Sequence, residues 1–313
     1  AAVAAFSSLQ RPSIDGLTPR YVPHQMMSAA AALGSFRWNL GAILGPALGG
    51  LLIVWGGVAG AYVFDVVTFA LSLVLMVRMR PSPAPQDAIR AGLTSIAEGL
   101  RYALRRRDLL GTYLVDIVAM LFAMPMALYP FLADELHAPW ALGLLYSAGA
   151  VGSLLASATS GWTSHVHRHG LAIVLAAAAW GVAVGLAGLT MNAGTAALPL
   201  VLCLLTIAGA ADMISGLFRS TIWNQSIPDS LRGRLAGIEL LSFSSGPMLG
   251  NVRAGLMAQL GGVRFSIAAG GALCVAGVAL AAALLPSFRR YDARTDEHLL
   301  AERERRAAAQ IST

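Results

Sequence analysis

Asp65, Asp116, Asp212 and Glu239 lie within long apolar runs of this sequence, as do Arg37 and Arg253, with Arg219 just past the end of one. A charge at mid-bilayer costs about 2.5–3.5 kcal/mol on insertion scales, so residues of this kind in such places mark a role. A carboxylate facing a cavity can take a proton on one side of a membrane and release it on the other. Asp116 is the foremost candidate, about two turns inside its apolar run. Asp212, Glu239 and Arg219 are proton-coupling or gate candidates beside it. The competing reading is an ion network of Asp116, Asp212 and Arg219 that only holds helices together. Asp65 lies near the end of its run, where it can cap a helix or reach the headgroups.

A second group of residues could meet a substrate. The run 235–260 carries Glu239, Ser242, Ser244, Ser245, Asn251, Arg253 and Gln259, too polar to face lipid on every side. Asn251 and Arg253 are therefore cavity candidates, as are Arg37, Trp38 and Asn39 in an earlier run. Met120 and Phe122, followed by Met124, Pro125 and Met126, suit either an adaptable substrate wall or plain packing. His165, His167 and His169 have metal-like spacing, but no carboxylate or cysteine joins them and Arg168 intervenes. No metal is expected. Lysine is absent from the chain and no G-x-x-x-x-G-K-[ST] loop occurs, which argues against ATP-driven transport. No nucleophile–base constellation stands out, so neither an enzyme nor a bound cofactor is expected, and a proton gradient is the expected energy source.

The elements that must position these residues are membrane helices. Of the 313 residues, 57% are hydrophobic and only 12% charged, with a mean hydropathy of +0.66. A soluble domain needs about twice that charge. Apolar stretches of spanning length fall at 33–55, 58–79, 109–132, 141–160, 171–190, 196–217, 235–260 and 263–285. The chain is read as an all-α, polytopic membrane protein. Its net charge of +6 comes from arginines that cluster between 78 and 107 and after Ser287, while the alternate connections are nearly free of them. That pattern places those arginines and the C-terminus in the cytoplasm. It is not a nucleic-acid footprint. Residues 80–108 alternate as an amphipathic surface helix after a proline-rich start. The cysteines, Cys203 and Cys274, fall mid-span as small hydrophobes.

The chain also repeats itself. A shift of 205 residues aligns Pro23 with Pro228, Gly45 with Gly250, and Gly56-Gly57-Val58 with Gly261-Gly262-Val263. A second register aligns Gly45-Pro46-x-x-Gly49 with Gly246-Pro247-x-x-Gly250. The stretch 33–79 is then the counterpart of 235–285, the last pair of helices in a six-helix bundle. On that reading 1–80 is the remainder of a first bundle, 81–108 a cytoplasmic linker, 109–286 a second bundle of spans seven to twelve, and 287–313 a polar tail. Residues 1–8 end a fourth span and 9–32 form a loop. Three spans and most of a fourth, roughly 100 residues, are expected upstream, leaving eight complete spans and a stub.

Within the first run, Gly41, Gly45, Pro46, Gly49 and Gly50 spell G-x-x-x-G-P-x-x-G-G. This resembles the fifth-span signature of major facilitator superfamily exporters. The string Ala210 to Arg234, with Asp212, Arg219, Pro228, Arg232, Gly233 and Arg234, resembles the span-ten end and following cytoplasmic loop of the enterobactin exporter branch. Asp116 to Pro130 and Leu144 to Gly149 are similar to that branch as well. The superfamily's G-x-x-x-D-R-x-G-R motif has an echo at Gly161 to Gly170, with His165 in the aspartate's place. The resemblance implies a twelve-helix, monomeric plasma-membrane exporter. It would move a siderophore or other small hydrophobic compound outward in exchange for protons, with the lipid bilayer and that small molecule as partners and no nucleotide or nucleic acid. A multidrug or macrolide pump is the alternative within transport. A non-transporting membrane sensor or scaffold is the alternative outside it.

Overall fold

The computed structural model describes the backbone of residues 27–78, 101–102, 104–227, 229–301 and 304. Side chains are described within those limits except at 27–39, 42–43, 46–47, 54, 192–193, 224 and 229–244. Every regular element among the described residues is helical. The expected amphipathic helix of 80–108 falls mostly outside them, as does the chain before Met27. Two compact units follow one another, residues 1–90 and 91–313.

The first unit contains α1, Met27–Val77. At about 1.5 Å per residue an unbroken helix of this length would far exceed a bilayer. Gly57 interrupts it with φ 66° and ψ −178°, a conformation only glycine adopts without strain. The helix starts at Met27, inside the expected 9–32 loop, because Ala29 to Leu33 is a run of strong helix formers. The stretch Trp55–Val77 is long and apolar enough to cross a membrane, and its large side chains, Trp55, Tyr62, Phe64 and Phe69 among them, are exposed. Such a surface requires lipid or other helices around it, not water.

In the second unit, α2 (Arg107–Ala123) is followed by a 3₁₀ turn and the short α3 (Tyr129–Glu135). Then come α4 (Leu142–Ala158), α5 (His169–Thr190), α6 (Leu198–Ser226), α7 (Asp229–Leu284) and the single-turn α8 (Pro286–Arg289). Six stretches among the described residues are long and apolar enough to span, against the eight expected. One of them, Ser245–Leu284, holds 40 residues and so absorbs two expected spans. It is broken at Gly262, φ 84° and ψ 169°. The chain doubles back there. Ser266 Oγ donates to the Ala254 carbonyl at 2.7 Å, across twelve residues that a straight helix would hold about 18 Å apart. Gly57 and Gly262 are equivalent in the 205-residue repeat and adopt nearly the same conformation. The other unmatched stretch, 33–55, falls largely on side chains outside the described set.

Small residues set the helix contacts. A Cβ on Gly209 of α6 would collide with the Gly149 carbonyl of α4, and one on Gly152 with the Thr206 carbonyl. Ser153 Oγ donates to the Gly209 carbonyl at 2.9 Å across the same seam. Gly181 and Gly185 of α5 face Gly271 and Cys274 of α7 in like manner. Close backbone approach of this sort is how helices associate where the solvent itself is apolar.

Two sequence readings change here. Arg232, Gly233 and Arg234 belong to the first turns of α7 rather than to a loop, because α6 runs to Ser226 and α7 starts straight after Pro228. The polar tail begins inside the core: Phe288 and Leu299 are fully buried and Tyr291 nearly so. Phe288 fills the notch left by Gly111 and Gly170, and the Ala293 N–H donates to the His167 carbonyl at 2.9 Å.

Gly209→Ala is expected to lose about 1–3 kcal/mol through overpacking of the α4–α6 seam. Gly255→Ala, where an added Cβ meets nothing within 4 Å, should leave stability unchanged. Thermal unfolding in detergent compares the two directly.

Candidate functional site: an ion triad between α2 and α6

Asp116 lies on the same face of α2 as Thr112 and Tyr113, three to four residues earlier. On α6, Asp212, Arg219, Trp223 and Ser226 recur at spacings of seven, four and three, again one face. The two faces meet. Trp223 Nε1 donates to Thr112 Oγ1 at 3.4 Å, and the Tyr113 and Trp223 rings pack edge to face with centroids 5.0 Å apart.

Arg106 fixes the start of α2 against the end of α6. Its Nε donates to Asp108 Oδ1 at 2.9 Å, and a second guanidinium nitrogen pairs with Asp108 Oδ2. Its Nη1 donates to the Ser226 carbonyl at 3.2 Å and to the Tyr102 hydroxyl at 3.1 Å. Burial works against the Arg106 charge, but the Asp108 carboxylate outweighs it and holds the guanidinium above its ordinary value. Asp108 also places negative charge at the positive end of the helix. With the helix ends clamped, Asp116 sits about two turns further in, opposite Arg219.

There Arg219 Nη1 pairs with Asp116 Oδ1, and Arg219 Nη2 lies 3.9 Å from Asp212 Oδ1. The triad is graded in exposure. The Asp116 side chain is 9% exposed, that of Arg219 19% and that of Asp212 39%. Arg219 Nε is buried without a hydrogen-bond partner among the described residues. Three residues singled out from sequence thus come together at one place.

Other candidates are placed elsewhere. Met120 is buried against Gly246 and Gly250 of α7, and Phe122 packs beside Gly277. Asn251 and Arg253 turn toward the end of α2. The Ala127 N–H donates to Asn251 Oδ1 at 3.1 Å, and Arg253 Nε donates to the Leu121 carbonyl at 3.1 Å. Glu239, Arg37, Trp38, Asn39 and Pro46 have side chains outside the described set. Gly41, Gly45, Gly49 and Gly50 have open space where a Cβ would stand. His169 is buried, with its ring centroid 5.3 Å from that of Phe218 and 6.0 Å from that of Tyr291. Sequence reasoning passed over Arg106 and Asp108. Their i, i+2 spacing at a helix start, beside Tyr102, was the available signal.

The major facilitator family model described as transmembrane secretion effector matches residues 3–310. The chain belongs to that family. Among curated relatives, the enterobactin exporters EntS of Shigella boydii serotype 18, Escherichia coli O81 and Escherichia fergusonii are each 28% identical over 292 residues. The match covers 91% of this chain and 68% of each of theirs. This transmembrane secretion effector is accordingly a multi-pass membrane exporter and not an enzyme. Within it, an ion triad joins the facing helices α2 and α6.

Removing one partner of a buried pair strands the other, at a cost of about 3–5 kcal/mol. Asp116→Ala alone should therefore destabilise more than Asp116→Ala combined with Arg219→Met. Unfolding of the purified protein in detergent, run as a double-mutant cycle, reads the difference.

Proposed function

We infer that this exporter moves a small molecule outward in exchange for protons, by alternating access, and that a catechol siderophore of the enterobactin type is its foremost substrate. The observation that carries the coupling is the charge count of the triad. Two carboxylates share one guanidinium, so the ionised set bears one net negative charge that a single proton cancels. The graded exposure gives that proton a way in, from half-exposed Asp212 toward buried Asp116. Arg219 serves both carboxylates, so its pairing can change as one of them is neutralised.

The α2–α6 seam differs from its neighbours in how it is closed. Glycine backbones bring α4–α6 and α5–α7 into close contact, whereas α2 and α6 are bridged by long side chains. An ionic seam can part and re-form at smaller cost than an interlocked one, so this is the gate. The names borne by the relatives support the siderophore reading. The half-exposed Asp212 carboxylate favours a second one, a cationic drug held by that group. The arginine distribution supports a cytoplasmic C-terminus, in a protein that lies in the plasma membrane and works as a monomer.

The test uses the complete gene in its own host under iron starvation. Deletion should trap siderophore in the cytoplasm, and restoration with Asp116→Asn should fail to release it although the protein is present in the membrane. Unchanged secretion in the deletion strain would remove the siderophore reading, and a drug-susceptibility panel on the same strains would decide for the second. Full rescue by Asp116→Asn would remove Asp116 from proton coupling.

A further inference from the structure

Pro125 has no N–H, so the carbonyl of Leu121, four residues before it, lacks the donor that an α-helix would supply. The helix stops accordingly: α2 ends at Ala123, and Met124 takes extended angles, φ −85° and ψ 107°. In a membrane the freed groups must find partners within the protein. They find them on α7 and α4. Arg253 Nε donates to the Leu121 carbonyl at 3.1 Å, and Asn251 Oδ1 accepts the Ala127 N–H at 3.1 Å. The Tyr146 hydroxyl donates to the Met126 carbonyl at 3.3 Å.

Arg253 is committed on its other side as well. Its Nη1 donates to the Ser266 carbonyl at 3.2 Å, across the Gly262 turn, and to Met257 Sδ at 3.4 Å. No carboxylate pairs with it among the described residues. A Cβ on Gly270 would press within 2.6 Å of Arg253 Nη1, so glycine there makes room for the guanidinium. One arginine therefore ties the broken helix to both arms of the α7 hairpin.

We propose that Arg253, with Asn251, is a positioning residue for export, acting through the Leu121 carbonyl and the Ala127 N–H to hold the Pro125 break as a hinge. The segment after the break, 126–135, is detached from the ladder of α2: Asn251 and Tyr146 hold its first residues, while Arg253 holds the last free carbonyl before the break. It can swing about Met124 with the Asn251 amide following it, while the guanidinium keeps the Leu121 carbonyl paired on the α2 side. Arg253 is then a hinge clamp rather than a contact for an anionic substrate.

Pro125→Ala makes this testable, since it returns the missing N–H to Leu121 and should make the clamp dispensable. The full-length protein in nanodiscs is followed by hydrogen–deuterium exchange over 119–131. Arg253→Met is expected to speed exchange there by roughly tenfold or more, the effect of losing a charge-assisted bond. Asn251→Ala should do so at Ala127, and Arg253→Met with Pro125→Ala should return to within about threefold of wild type. Export of enterobactin by Arg253→Met should fall in maximal rate with KM unchanged, and should stay low in the double variant, where the continuous helix has no hinge. Unaltered exchange in Arg253→Met, no recovery of exchange protection with Pro125→Ala, full export by the double variant, or a raised KM at unchanged maximal rate each overturns the proposal. Should Arg253→Met not be obtained folded, the double variant is expected to be, and failure of both also overturns it. The exchange measurement needs no substrate, so it stands or falls apart from the siderophore reading.

Discussion

A charge inside an apolar bundle has to be paired, and the arrangement of the second unit turns on the pairing of Arg219 with Asp116. Neither residue would be tolerated in its helix alone. Their meeting requires α2 and α6 to present one face each to the other at the right height. Arg106, held by Asp108, sets that height by fastening the start of α2 to the Ser226 carbonyl at the end of α6. The Tyr113–Trp223 contact fills the space between clamp and triad. The polar face is continuous from the end of the bundle to Asp116.

Two other contacts follow the opposite rule. Along α4–α6 and α5–α7 the helices approach until glycine backbones touch, and dispersion over a long, smooth surface holds them. The unit thus combines closely packed helix pairs with one seam bridged by ions.

Backbone satisfaction is the second constraint, and it gives partners to residues that polarity alone marks as cavity candidates. Asn251 and Arg253 look like cavity side chains because they are polar in an apolar helix. Their partners are the groups that Pro125 frees on the neighbouring helix. Proline at one position and a polar side chain on another helix form a single feature, divided between two places more than a hundred residues apart.

Composition and periodicity alone determined the fold class, the approximate limits of most spans, the repeat that makes Gly57 and Gly262 equivalent, and the short set of residues worth considering. Lipid admits so few backbone solutions that an apolar run of the right length can only be a helix. Asp116, Asp212 and Arg219 were legible for the same reason, being costly where they stand. What only tertiary structure decided is which polar residues meet. That Arg219 pairs with Asp116, that Arg253 serves a carbonyl, and that Phe288 in an apparently polar tail is core all depend on the rotation and height of neighbouring helices. A helical sequence fixes its own face but not the face set against it, because that choice is made by close packing between segments far apart in the chain.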